Sequence, residues 1–221
     1  PYDETRTWFV GGSWKDMDAS KGPRAIIIAS RNMELYDIET NTEAYKQGIH
    51  TLKELEVVKD PKETINRIQE ESKKHLKKDK FIVMLGGEHS ITTGLVKAYQ
   101  EKFPNLSVLQ IDAHSDLREE FEGTTYSHAA VMSRIREICP AVQVGIRSMD
   151  KEEAEKIKKE NYDVFYAKDI LTNDDWMDQD IEKLTNDVLI TIDLHTFDPH
   201  IMPSTATPDP ARIQWHQTLK S

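Results

Sequence analysis

The stretch Asp112-Ala113-His114-Ser115-Asp116-Leu117-Arg118-Glu119-Glu120-Phe121-Glu122-Gly123-Thr124-Thr125-Tyr126-Ser127-His128 decides how the chain reads. It follows an apolar run, Leu106 to Ile111, that predicts a buried strand. Asp112, His114 and Asp116 therefore leave the C-terminal end of a strand together. In extended backbone alternate side chains share one face, so two carboxylates and an imidazole are expected to converge on one point. Oxygen and nitrogen donors without thiolate suit Mn, Fe, Zn or Mg. A solvated polar turn is the competing reading, because Asp and Ser are ordinary loop residues.

Two distant segments repeat the pattern. Gly86-Gly87-Glu88-His89-Ser90 follows the apolar run Phe81 to Leu85, and Asp193-Leu194-His195 ends the run Val188 to Ile192. Open α/β sheets place their sites at the carboxyl ends of parallel strands. Of the eight histidines, His89, His114, His128, His195, His200 and His216 fall in or near these segments, and His50 and His75 lie elsewhere.

The 221 residues suit one domain, 1–221, with a sizeable core. With 31% charged residues and a net charge of -10, a nucleic-acid or anionic-membrane partner is not expected. The single cysteine, Cys139, excludes a disulfide framework and a Cys-based zinc site and fits a reducing compartment. No signal peptide or membrane-length apolar run is visible, and a cytoplasmic protein is the expectation.

Along the chain, Pro23 opens either a helix or a short buried strand over 23–30, and 31–49 reads as loop with room for a short strand. Asp60 and Pro61 predict a helix to about Leu76, with its lysine-rich end complementing the helix dipole. Strands are predicted at 81–85, 107–111, 142–146, 163–166 and 188–192. Helices are predicted at 90–103, from His128 to about Ile138, from an Asp150/Glu153 capping box to about Lys159, and at 178–186. The alternation predicts a three-layer α/β/α fold with a mostly parallel sheet.

With these residues assembled, the sequence resembles the ureohydrolase family, the arginases and agmatinases. The matching motifs are Gly86 to Ser90, Asp112 to Asp116, and Thr191-Ile192-Asp193-Leu194-His195-Thr196-Phe197-Asp198-Pro199. Three ordered motifs at strand ends are far more specific than any one alone. The similarity runs from Pro1 to about Trp215, and Tyr126-Ser127-His128 and Gln143 to Ser148 look most like agmatinases. The resemblance implies an arginase-like domain that lacks the family's C-terminal end, since the family continues for further βα units.

It also implies two Mn ions per chain. Carried over, His89 and Asp116 would bind one ion and His114 the other, with Asp112 and Asp193 bridging. The sixth ligand position holds His195 where the family has an aspartate. His128 corresponds to the histidine that passes a proton to the leaving amine, and the substrate-binding glutamate of the family falls near Gln217. Around Ala206 to Ile213 the family's glycines are replaced by Ala206, Ala211 and Arg212.

The leading expectation is a manganese-dependent, agmatinase-like amidinohydrolase that cleaves agmatine to putrescine and urea, in polyamine biosynthesis. Arginase, guanidinobutyrase and formimidoylglutamase activities share the metal site. Acidic Glu119, Glu120 and Glu122 could favour a small cationic guanidino substrate with an amine tail. A binding or assembly protein with impaired catalysis, suggested by His195 and Gln217, is the reading from another class. A two-metal phosphoesterase is disfavoured by the scarcity of cations near the ligand motifs. A homo-oligomer, trimer or hexamer, is implied by the resemblance.

Overall fold

The computed structural model describes residues 19–56, 58–171, 176–203 and 205. The chain divides into two compact units, residues 1–58 with 83–88, and residues 59–82 with 89–221. In the first unit Pro23 opens helix α1 (Gly22–Ala29), which decides between the two readings of that segment. Further on, the Asp37 carboxylate accepts the N–H groups of Glu39 and Thr40 at 2.8 and 3.0 Å, an Asx turn closed by a bridge to Thr42.

The second unit contains α2 (Pro61–Leu76), α3 (Thr92–Lys102), β1 (Leu106–Ile111), α4 (Val131–Arg136), β2 (Ala141–Ile146), α5 (Lys151–Glu160), β3 (Val164–Tyr166), α6 (Ala167–Ile170), α7 (Trp176–Ile181) and β4 (Asp187–Ile192). The strands form one parallel sheet in the order β3-β2-β1-β4. Every residue of β1 and β2 is buried, as apolar strands covered by helices on both faces must be. The result is the expected three-layer α/β/α arrangement. On one face Leu109, Ile111, Val142 and Val144 pack against Ile170 and Trp176. Strand β4 is covered on only one side among the described residues: Leu189 and Thr191 are buried, whereas Val188, Ile190 and Ile192 are exposed.

Local chemistry sets the helix boundaries. Asp60 caps α2 by accepting the Lys62 N–H at 3.0 Å, and Pro61 fills a position whose N–H would have no partner. The capping box read from Asp150 and Glu153 is present at α5, each side chain holding the other's backbone N–H at 2.8 Å. Helices α2 and α3 approach closely at Gly94, where an added Cβ would stand 2.6 Å from the Ile65 carbonyl oxygen. Gln69 and Lys73 of α2 then reach Glu101 of α3 at 2.7 and 3.1 Å, which absorbs part of the lysine-rich end.

Several expected elements differ. Residues 81–85 form no ladder among the described residues, and Phe81 and Val83 are 91% and 72% exposed. A short apolar run suits a strand, but a strand exists only where a neighbour supplies hydrogen bonds. The segment from His128 begins as a 3-10 turn, His128–Ala130, before α4. Helix α7 starts at Trp176 and ends at Ile181, two residues before the expected start and five before the expected end, and α6 had no sequence signal of its own.

Asp180 of α7 is fully buried, and burial, with the charge of Asp178 adding to it, pushes its carboxyl up to about 6 against a hydrogen bond from the Ile181 backbone. Its folded pKa lies above the unfolded value of 3.8, so the folded state binds more protons between the two and stability falls as pH rises through that window. Asp180→Asn is expected to stabilise the protein by about 1–3 kcal/mol at pH 7.5 and to change little at pH 3.5, measured by urea unfolding at both.

Candidate metal centre

The sheet delivers two of the site's carboxylates. The Asp112 N–H donates to the Val144 carbonyl and the Asp193 N–H to the Ile111 carbonyl, both at 3.0 Å, so each aspartate is held by the ladder one residue past its strand. His89 comes from the 3-10 turn His89–Ile91 that precedes α3. Its Nδ1 lies 2.9 Å from Asp116 Oδ2, 3.3 Å from Asp112 Oδ2 and 3.7 Å from Asp193 Oδ2.

Asp116 does not arrive by strand alternation. Its φ is +51°, a left-handed conformation that turns the chain after β1. Neighbouring contacts hold that turn in place. Glu153 Oε1 accepts the Ser115 hydroxyl at 2.6 Å and the Leu117 N–H at 2.8 Å, one residue to either side of Asp116. The Ser115 N–H donates to the Ser148 carbonyl at 3.2 Å and the Met132 N–H to the Asp116 carbonyl at 2.9 Å. Glu153 thus serves both α5 and the ligand loop.

Electrostatics follow from this crowding. Burial works against the charge of every member of the cluster. For His89 the hydrogen bonds it donates to the Asp112 and Asp116 carboxylates outweigh burial and raise its pKa well above 6.5. Burial and the Asp112 charge push Asp116 up to about 6. Asp112 and Asp193 stay below the ordinary carboxylate range despite burial, Asp112 through His114 and His89, and Asp193 through His195 and His89. His89 Nδ1 therefore sits among three carboxylates, a setting that also suits a cation.

The donor set fits a divalent metal. One ligand atom from each of His89, Asp112 and Asp193 lies within 4.8 Å of the others, and Asp116 adjoins them through His89. Carboxylate oxygens with imidazole nitrogen match a hard or borderline cation. His114 and His195 stand beside this group, their rings edge-on at 5.1 Å. Asp112 Oδ1 accepts the His114 N–H at 3.0 Å and lies 3.7 Å from His114 Nδ1. His195 directs Nδ1 to Asp193 Oδ1 at 2.9 Å, and its own N–H reaches the same oxygen at 2.7 Å.

The remaining sequence candidates are placed less centrally. The half-buried His128 ring packs edge-on against Phe121 at 5.6 Å. Asp198, the last aspartate of the third motif, pairs with His200 at 2.7 Å. Gln217, His216 and the segment Ala206 to Ile213 lie outside the described residues. Glu119 is held by Arg134 and Lys156, so its charge is already matched.

Thr191 was not singled out by sequence, yet its Oγ1 lies 3.0 Å from His89 Nε2 and orients the ring. Its only sequence signal is its place two residues before Asp193. Glu153 was legible as a cap and not as the anchor of the ligand loop. Glu153→Ala is expected to cost about 3 kcal/mol in urea unfolding, because three N–H or O–H donors lose their acceptor. The same variant should weaken Mn binding by calorimetry at least about tenfold.

Comparison with known proteins places this geometry. The model of the Arginase family matches residues 6–221. The N(1)-aminopropylagmatine ureohydrolase of Synechocystis sp. is 35% identical over 228 residues, covering 99% of this chain and 72% of the relative. The enzyme of the same name from Thermus thermophilus is 37% identical over 221 residues, covering 99% of this chain and 73% of the relative. Among solved structures, the agmatine ureohydrolase of Thermoplasma volcanium superposes with a TM-score of 0.83 at 27% identity, over 90% of this chain and 69% of that one. A family match across nearly the whole chain, joined to a cluster of aspartates and histidine at the strand ends, means that this chain belongs to the arginase family of ureohydrolases.

Proposed function

We infer that the chain hydrolyses a linear guanidino amine of the agmatine class, releasing urea and leaving a polyamine, with manganese as its metal. The observation that carries the reading is the convergence of His89, Asp112, Asp116 and Asp193 on one buried point in a chain of this family. The names of its relatives favour agmatine extended by an aminopropyl group as substrate, with agmatine itself as the nearer analogue.

His89, Asp112, Asp116 and Asp193 would hold the metal, with His114 and His195 alongside. Bound there, a divalent metal supplies Lewis acidity and lowers the pKa of a water at neutral pH. The need is chemical: a guanidinium carbon is a poor electrophile because its charge is delocalised. Water adds to that carbon, the bond to the tail nitrogen breaks, and the nitrogen takes a proton. His128, held against Phe121, is the group assigned to deliver that proton. Buried carboxylates also favour a cationic substrate over a neutral one. Assembly into trimers or hexamers is part of the same reading.

One observation favours a weaker enzyme. His195 Nδ1 engages Asp193 Oδ1, which leaves this carboxylate only Oδ2 turned towards His89. His195→Asp removes that hydrogen bond and adds an anionic donor, so Mn affinity and urea release should both rise, by roughly tenfold.

Urea release by Mn-loaded protein should be fastest with N(1)-aminopropylagmatine, slower with agmatine and slowest with arginine. Faster turnover of arginine than of either amine would overturn the substrate assignment.

A further inference from the structure

We propose that Arg136, Gln143 and Gln110 form a buried relay that positions the Asp112 carboxylate for its metal. The proposal rests on the reading of Asp112 as a metal ligand. Gln110 of β1 and Gln143 of β2 are both fully buried polar residues within otherwise apolar strands. They are direct partners in the parallel register, so their side chains rise side by side on one face of the sheet.

The two amides are joined head to tail. Gln143 Nε2 donates to Gln110 Oε1 at 2.5 Å and to the Ser115 carbonyl at 2.7 Å. Gln110 Nε2 donates to Asp112 Oδ2 at 2.8 Å and to the His114 carbonyl at 3.3 Å. At the far end Arg136 donates from a terminal guanidinium nitrogen to Gln143 Oε1 at 3.2 Å, while its guanidinium lies 3.7 Å from the Tyr162 ring centroid. Every nitrogen and oxygen of the two amides is used.

The direction of this chain is set by its ends. An amide can turn its oxygen or its nitrogen towards a neighbour, and the two orientations are nearly equal in shape. Arg136 can only donate, so Gln143 must turn its oxygen towards it and its nitrogen towards Gln110. Gln110 then has its oxygen occupied and offers only N–H to Asp112. That N–H occupies one lone-pair direction of Oδ2 and fixes the rotation of the carboxylate, while Oδ1 is held by the His114 N–H at 3.0 Å. The same two amides grip the carbonyls of Ser115 and His114, so the start of the ligand loop and the carboxylate are set together. Without the cation Gln143 Oε1 is left buried without its donor, and the pair is held from one end only, by the Asp112 carboxylate and the carbonyls of Ser115 and His114.

Arg136 is thus a positioning residue two side chains removed from the ligand. Arg136→Met keeps the length and loses the donor, Arg136→Lys keeps a cationic donor, and Gln110→Met removes the donor to Asp112 directly. Calorimetric titration of each metal-free chain with Mn, beside a thermal melt of the same sample, separates metal positioning from folding. Mn affinity should fall about tenfold or more in Arg136→Met and in Gln110→Met, with Arg136→Lys within about threefold of the unchanged protein.

Unchanged affinity in Arg136→Met or Gln110→Met would overturn the relay, as would equal losses in Arg136→Lys and Arg136→Met. A loss of affinity that appears only in samples already partly unfolded in the melt would also overturn it. Failure of the unchanged protein to bind Mn would remove the metal reading and the relay together. Binding by the unchanged protein with no effect of the variants would remove the relay alone.

Discussion

Three carboxylates around one imidazole, two of them buried and the third half-buried, impose the condition that the site has to meet. Asp112, Asp116 and Asp193 all turn an oxygen towards His89 Nδ1 at 3.7 Å or less. Charges of one sign are driven into a region with little water, and something positive must compensate them. The imidazole of His89, whose pKa its carboxylate neighbours raise, and the upward push on Asp116 do so in part. A divalent cation bound there would do so more completely.

The scaffold meets that condition by anchoring backbone at each ligand. The Asp112 and Asp193 N–H groups extend the sheet ladder, so those side chains inherit the rigidity of β1, β2 and β4. Asp116 needs a left-handed residue, held by Glu153 on both sides. The β2 strand contributes at a distance: Gly145, at φ +89°, lies at the register shift against β3. Two residues further on, Arg147 reaches the His195 carbonyl at 2.7 Å. One carboxylate, one glycine and one arginine outside the ligand motifs therefore decide where the ligands stand.

His195 fits its place through local hydrogen bonds. An imidazole is longer than an aspartate side chain and carries its own donor, so it finds a hydrogen bond to Asp193 within the same turn. The turn Leu194–Thr196 keeps its shape because the Asp193 side chain caps it in the ordinary way. The ring lies edge-on to His114.

Much of this was legible in the sequence, because apolar runs that end in Asp or His announce both a buried strand and a polar end. The parallel sheet, the α2 cap, the α5 capping box and the candidate donors His89, Asp112, Asp116 and Asp193 were all read from local patterns. Residues 81–85 were misread because an apolar run reports suitability for pairing, while pairing itself requires a neighbour that no local window contains. The extended route proposed for Asp116 failed for a related reason: the left-handed turn is held by Glu153, 37 residues later in the chain. The polarity of the Gln110 and Gln143 amides was likewise invisible, because it depends on register between two strands and on a cation from α4. Sequence by itself determined which residues could bind metal and where strands would end. Tertiary structure alone decided which of them meet and which way each donor points, since those are properties of contacts between segments far apart in the chain.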